Sequence, residues 1–543
     1  MFLSAIAAAS QSLHLLLTIF TMGQQDFRCA IPDLPNDTYH IQNEAHHRLL
    51  NLSVPYDKTE GGYSQCYRHK SSPVDPDANV STTFMSKSPA LTRCTKWVYS
   101  TDVFKTSMIS QFDLVCDRNM YTSHVNMMTM VGMMVGAMLS GVLSDRFGRK
   151  QPFLWMTWVH FVCAIAMAFV KSVAVLLIMR FVLAVSCVGF FATATVLSME
   201  IVSSKKRTMA GMITMFGWSL GMFLLVLAAF FIRNWQTLQL SLACPMIIIA
   251  VSYIWLLPES PRWLLSKGRY SEANVILRTM ARVNKREIPE KMLMSEVTEN
   301  ESSLTDSNDD DSIPNEDDTE EKEDETEQKG KSQSIFRLMK TPVLLLRLII
   351  LAYGWLVNSM VYYGLTLNVG SIIEGDIYLN FFIMSVLELV CYVMLVFFLT
   401  GPFGRKRVFC ACILLGGVAC LSTMFPIVLE WDVAWMNPVL SNLGKFFITS
   451  SFALVWIYTP ELIPTRVRQS GLGICSMTGR IGGIVSPYIG SLSDSIPGPV
   501  GQVLPLVVFG STAILCGILA LFLPETANRK LPETIEEAKA MSW

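Results

Sequence analysis

Apolar residues in this chain come in long runs, separated by short polar breaks and two long polar insertions. Twelve runs approach the about 20 residues that a helix needs to cross a bilayer. They are 2–22, 121–143, 153–170, 174–198, 209–231, 238–257, 343–363, 377–400, 407–425, 435–458, 470–490 and 502–523. The pattern predicts an all-α integral membrane protein with helices at these places. Segments 209–231, 238–257 and 502–523 are the most uniform. The run 2–22 is polar in its middle (Ser10, Gln11, Ser12, His14), and 435–458 holds Lys445. The first run is read as a retained helix rather than a signal peptide. It has no basic start, its apolar stretch is long, and no small-x-small site follows near Gln24-Gln25-Asp26. A basic cytosolic leader is expected ahead of such a helix, so the chain reads as a shortened form.

Composition agrees. Of 543 residues, 51% are hydrophobic and 16% charged, against about 25% charged in soluble domains. The net charge of −1 hides a segregation. Alternate loops carry Arg146, Arg149 and Lys150; Lys205, Lys206 and Arg207; Arg262, Lys267 and Arg269; Arg405, Lys406 and Arg407; Arg466 and Arg468. The loops between carry Glu374, Asp376, Glu430, Asp432 and Asp494, with Lys171 and Arg233 as bases. Cytosolic loops are rich in Arg and Lys, so both termini are expected in the cytosol.

That parity puts insertion 23–120 outside. It holds the sequons at Asn36, Asn51 and Asn79, and Cys29, Cys66, Cys94 and Cys116. Four cysteines in an oxidising compartment suggest two disulfides, with three pairings open. The nine other cysteines lie in or beside helices and read as small core residues. Insertion 258–342 is expected inside. Its stretch of about 296–330, with Asp309-Asp310-Asp311, is too acidic to bury a core and reads as a disordered linker. Ser303 and Ser307 there fit phosphoacceptor positions. Helices 2–6 then occupy 121–257, helices 7–12 occupy 343–523, and residues 524–543 form a cytosolic tail.

The halves repeat. Asp145-Arg146-Phe147-Gly148-Arg149 follows the second helix and Phe403-Gly404-Arg405 the eighth. Glu200 with Lys205-Lys206-Arg207 follows the fourth, and Glu461 with Arg466 and Arg468 the tenth. Two such halves resemble the major facilitator superfamily. Further runs carry a resemblance to the organic ion transporters of solute carrier family 22, in an invertebrate-like form. They include Phe112-Asp113-Leu114-Val115-Cys116-Asp117, Asn234-Trp235-Gln236-Thr237-Leu238, Pro258-Glu259-Ser260-Pro261-Arg262-Trp263-Leu264, Tyr362-Tyr363-Gly364-Leu365, Gly375-Asp376-Ile377-Tyr378-Leu379-Asn380 and Gly479-Arg480-Ile481-Gly482-Gly483. The resemblance implies twelve helices in two six-helix halves, a plasma-membrane location and carriage of small organic ions by alternating access. In one respect the chain departs from it. Gly401-Pro402 stands where an Asp-Arg precedes the second Gly-Arg, so an ion pair or helix cap is expected to be missing from the second half.

Charged residues at the helix ends suggest an inner gate of Asp145, Arg146, Arg149, Glu200, Arg207, Arg405, Glu461, Arg466 and Arg468, with Glu461 held by Arg466 or Arg468. Within the helices stand Glu388, Lys445 and Arg480. A buried charge needs a partner or a ligand, so these are either a structural pair of Glu388 with Lys445 or part of a substrate site. In the resemblance, cation-selective members carry Asp where Arg480 stands, and anion or carnitine-type members carry Arg. A guanidinium there suits a carboxylate. Trp218, Trp355, Tyr362, Tyr363 and Tyr392 complete the expected site, with Phe446 and Trp456 as further aromatic candidates. His160 reads as packing, and His14 as a relay if the first helix lines a cavity.

The expected cargo is an organic cation, a carboxylate or a zwitterion such as a carnitine-like or amino-acid-like solute. An organic-anion carrier is the alternative, and a non-transporting receptor or scaffold is the rival from another class. No P-loop, catalytic triad, or metal or cofactor motif occurs in the sequence. No enzyme activity, cofactor, metal or nucleic-acid partner is therefore expected. The partners are the lipid bilayer and a small organic ion, with the coupling ion open.

Overall fold

A computed structural model of the chain describes all residues other than 1, 33, 58–61, 71–90, 203–206, 286–339, 373–374, 401–402, 430–432, 434, 465–466, 497–498, 528–531, 533–534 and 542–543. The acidic run, Asn79 and Arg466 lie outside the described residues, as does the side chain of Arg207.

Twelve long helices are present among the described residues. They are α1 (Phe2–Leu16, continued by Thr18–Thr21), α2 (Met120–Phe147), α3 (Lys150–Met167), α4 (Val173–Ile201), α5 (Arg207–Phe231), α6 (Trp235–Leu256), α7 (Pro342–Leu367), α8 (Ile377–Thr400), α9 (Arg405–Ser422), α10 (Met436–Leu462), α11 (Arg468–Gly490) and α12 (Pro499–Ala520). Ten of these regions, all but α3 and α11, are long and apolar enough to cross a membrane.

The polar middle of α1 has a structural explanation. Ser10, Gln11, Ser12 and His14 are all buried, because α1 packs inside the first half rather than against lipid. Small residues permit the approach, as is usual between membrane helices. Gly217 and Gly221 of α5 lie against the α1 backbone at Ala5 and Ala9, where a side chain would collide. Ser12 also donates to the Trp218 carbonyl at 2.8 Å. The second half repeats this contact between α7 and α11, where Gly479 and Gly482 lie on Trp355 and Leu356. His160 meets His14 edge-on at 4.5 Å between ring centres, both buried.

The halves meet through α2 with α11 and α5 with α8. Their contacts cluster at the ends nearest insertion 23–120. Ser123 donates to the Pro487 carbonyl at 3.3 Å, and His124 bonds the Tyr488 hydroxyl at 2.8 Å. Tyr378 of α8 stacks on Phe20 at 5.5 Å and meets Phe230 edge-on at 5.8 Å. The bundle is closed at this end.

The described residues of insertion 23–120 form a small domain at this end of the bundle, called the outer domain after its expected side, and here the structure adds strands that the apolar pattern did not predict. Phe27–Cys29 (β1) pairs antiparallel with Trp97–Tyr99 (β6). Tyr56–Asp57 (β2) pairs with Gly62–Tyr63 (β3), and Tyr67–His69 (β4) with Leu91–Arg93 (β5). The disulfides join Cys29 to Cys94 and Cys66 to Cys116, which selects one of the three pairings. Asn36 and Asn51 are exposed. Arg28 is buried and grips Asp37 with both guanidinium ends, at 2.6 and 3.1 Å, while His46 reaches the same carboxylate at 3.0 Å. A buried arginine is tolerable when so paired. The pairing ties the first strand to the loop before the helix Glu44–Ser53.

Candidate functional site

Two constellations stand out, one at the basic face and one in the middle of the second half. At the basic face the halves carry the same device. Gly148 and Gly404 both adopt positive φ, 92° and 79°, a conformation that favours glycine. A side chain at either would also strike a glutamate, Glu259 or Glu525 respectively. Those glutamates cap the next helix. Glu259 accepts the backbone N–H groups of Arg149 at 2.7 Å and Lys150 at 3.2 Å. Glu525 accepts those of Arg405 at 2.8 Å and Lys406 at 3.2 Å. A carboxylate at a helix N-terminus satisfies unpaired donors and suits the helix dipole.

The side chains then clamp the neighbouring helix. Arg149 holds Glu200 of α4 at 2.9 Å, with Nε at 3.2 Å, and its other amino group reaches Asp145 at 2.8 Å. Arg405 holds Glu461 of α10 at 2.8 Å, and Thr526 donates to the same carboxylate at 2.7 Å.

Three expectations change. Glu461 pairs with Arg405, a partner not expected from the sequence; Arg468 donates to the Ile463 carbonyl at 3.4 Å, and Arg466 lies outside the described residues. The second half keeps both its helix cap and its clamp; what it lacks is a described counterpart of Asp145. Asp145 itself is mostly exposed, and Arg146 lies outward over the Phe147 ring, so the acid that matters to Arg149 is Glu200. The two capping glutamates were missed by the charge-based reading. The signal was present: Pro258-Glu259-Ser260 recurs as Pro524-Glu525-Thr526 after the twelfth helix.

The second constellation is built on α7, α8, α10 and α11, with Trp218 from α5. Tyr362 and Thr366 are one helical turn apart on α7, as Glu388 and Tyr392 are on α8, so each pair shares a face. The hydroxyls of Tyr362 (2.9 Å) and Tyr392 (2.8 Å) both donate to Glu388. The Lys445 ammonium lies 3.1 Å from the centre of the Tyr362 ring and donates to Thr366 Oγ1 and, at 3.3 Å, to the Tyr362 carbonyl. Glu388 and Lys445 are both buried. No direct ion pair joins them among the described residues; Tyr362 stands between, with its hydroxyl on the acid and its face on the base. The simple Glu388–Lys445 pair is thereby corrected.

Arg480 is half-buried on α11, within hydrogen-bonding reach of the Tyr363 hydroxyl. Tyr362 and Tyr363 meet edge-on with ring centres 5.2 Å apart, so adjacent residues of α7 carry the acid–lysine cluster on one side and the arginine on the other. Trp218 lies beside Tyr362, its indole N–H lacking a well-directed bond. Trp355 donates to Thr459 at 2.9 Å and packs on Trp456 at 4.4 Å. It is a buried packing residue at one edge of the cluster. Phe446 is partly buried against the main core. A separate cavity of about 490 Å³ lies in the outer domain among Gln65, Arg93, Trp97, Asp117 and Arg118, remote from the buried charges.

Sequence comparison supplies the family. The "Sugar (and other) transporter" family model matches residues 80–538. The "Organic cation transporter protein" of Drosophila melanogaster is 30% identical over 540 residues, covering 99% of this chain and 91% of the relative. The "Solute carrier family 22 member 15-like" protein of Xenopus laevis is 33% identical over 441 residues, covering 81% and 83%. This chain belongs to solute carrier family 22 of the major facilitator superfamily. It is therefore a multi-pass membrane transporter and not an enzyme. The fold of this carrier also resembles the inward open conformation of the xylose transporter XylE from E. coli. The TM-score is 0.57 at 16% identity, covering 80% of this chain and 93% of that one.

Proposed function

We propose that this transporter carries small organic ions bearing a carboxylate, zwitterions foremost, across the plasma membrane by alternating access. Both termini and the clamped basic face would lie in the cytosol, and Asn36 and Asn51 would be glycosylated outside. One observation carries the substrate class. Of the three charges clustered midway along the helices of the second half, Glu388 is engaged by two tyrosine hydroxyls and Lys445 by the Tyr362 ring and Thr366. Among the described residues, Arg480 meets the neutral Tyr363 hydroxyl and no acid. A half-buried guanidinium without an acid is a receptor for a bidentate anion. The nearby faces of Tyr362 and Trp218 suit an ammonium or a flat organic body.

The contacts between the halves at the end nearest insertion 23–120 support a state closed to the outside. The Arg149–Glu200 and Arg405–Glu461 clamps lie within the halves, so each half can rock as a rigid unit.

A second reading, an organic-cation carrier, draws support from the printed names of relatives such as "Organic cation transporter protein". Uptake into cells expressing the chain separates the two. β-Alanine and carnitine should compete strongly and tetraethylammonium weakly, and Arg480→Asp should abolish carboxylate uptake. If Arg480→Ala transports carboxylates as well as the parent, the carboxylate reading fails.

A further inference from the structure

We infer that Lys445 is a tethered cation that occupies the ammonium subsite and so excludes simple organic cations from this carrier. The inference rests on the reading of Arg480 as the carboxylate receptor. Its geometric basis is independent.

A cation bound from solution would seek an aromatic face with a carboxylate close behind it. The second half contains such a place: the face of Tyr362, whose hydroxyl is bonded to Glu388 at 2.9 Å. Lys445 already fills it, with its ammonium 3.1 Å from the ring centre. Two neutral oxygens on α7 accept its protons, the Thr366 hydroxyl and the Tyr362 carbonyl. Lys445 reaches this spot from α10 beside Gly444, which packs against Cys420 of α9. A structural role alone would be met by a direct bond to Glu388. Instead the lysine sits on the ring, the place a bound ammonium would take.

Selectivity follows from the tether. A monovalent cation must displace a competitor held at high effective concentration and leave that ammonium buried without its ring. A zwitterion has a second anchor. With its carboxylate on Arg480, beside Tyr363, its own ammonium is held close to Tyr362 and competes on equal terms. Loss of the lysine therefore relaxes selectivity toward simple cations while leaving the carboxylate anchor intact.

The test uses the full chain in cells, with tetraethylammonium and β-alanine as probes and surface level measured by biotinylation. Lys445→Met and Lys445→Gln should each lower the half-saturating tetraethylammonium concentration about tenfold; that for β-alanine should also fall, but by less, because its carboxylate anchor already offsets the lysine's advantage, so the ratio of the two moves toward the cation. Lys445→Arg should stay as selective as the parent. Adding Tyr362→Leu to Lys445→Met should remove the gained cation affinity. Unchanged or weaker tetraethylammonium binding in both neutral variants at normal surface level overturns the inference. So does failure of both to reach the surface, which would make the charge structural. If Arg480 variants leave β-alanine uptake intact while Lys445→Met still admits tetraethylammonium, the carboxylate reading falls and the tethered cation stands.

Discussion

Arg149 holds two acids at almost the same distance, and the structure predicts that only one of them matters. Glu200 lies 2.9 Å away with its side chain 18% exposed; Asp145 lies 2.8 Å away but is 79% exposed. At 2.9 Å and an effective dielectric constant of about 20, the Coulomb attraction to Glu200 is about 6 kcal/mol. Desolvation of both groups removes much of this, leaving a net coupling of about 2 kcal/mol. Asp145 faces solvent at the end of α2, across the Gly148 turn from Arg149, where an exposed ion pair contributes about 0.5 kcal/mol. A double-mutant cycle isolates each term. The purified carrier with Arg149→Ala, Glu200→Gln and Asp145→Asn, singly and paired, is unfolded by denaturant in mixed micelles. The Arg149–Glu200 coupling should exceed the Arg149–Asp145 coupling about fourfold. Equal couplings, or a larger one for Asp145, would refute the claim that burial decides the strength of this clamp.

The remaining predictions address the caps, the outer domain and the tail. Glu259→Ala and Glu525→Ala each strand helix N-terminal N–H groups, and each should destabilise by about 1–2 kcal/mol in the same titration. Matching losses would express the repeat, and a loss confined to one half would contradict it. In the outer domain burial pushes the Asp37 carboxyl up, but Arg28, the Ile31 N–H and His46 outweigh it and hold the group below its ordinary 3.8. A depressed carboxyl contributes stability above its unfolded value and loses it as pH falls through the folded one. Hydrogen exchange in residues 27–54 should therefore stay slow from pH 7 to about 4.5 and rise only below about pH 4; earlier loosening would count against the buried pair. Arg347 is buried at the start of α7 and donates to the Ala538 carbonyl at 2.6 Å and the Met541 carbonyl at 2.7 Å, at the end of the helix Ile535–Ala540. Arg347→Ala should free that helix and speed proteolysis of the tail about tenfold, while Arg347→Lys should only partly restore protection.

Membrane helices advertise themselves because lipid admits few charges along a stretch of fixed length. That is why α5, α6 and α12 were legible as elements, and why alternate basic loops ordered the faces. α1 was harder to read because its polar residues are satisfied inside the half, where lipid no longer sets the rule. The basic-face clamp was half legible. Arg149, Glu200, Arg405 and Glu461 were identified, but pairing by proximity in sequence looked to Arg466 or Arg468 for Glu461 and overlooked Arg405. Its actual partner lies 56 residues earlier, brought close by the packing of α10 on α9. Glu259 and Glu525 were overlooked because a capping carboxylate binds backbone, which leaves no complementary charge to find.

For the central site, the residues were named from the sequence and the relations among them were not. Hydropathy could say that Glu388, Lys445 and Arg480 needed partners, since a lone buried charge is too unstable to persist. It could not say that Tyr362 would stand between acid and lysine, nor that Arg480 would meet Tyr363. Sequence alone determined the class, the twelve spans and the duplicated halves, because those follow from length, polarity and loop charge. The tertiary structure decided the disulfide pairing, the caps and the division of labour among the buried charges. Those depend on distances of a few ångströms between helices, which no pattern along one helix contains.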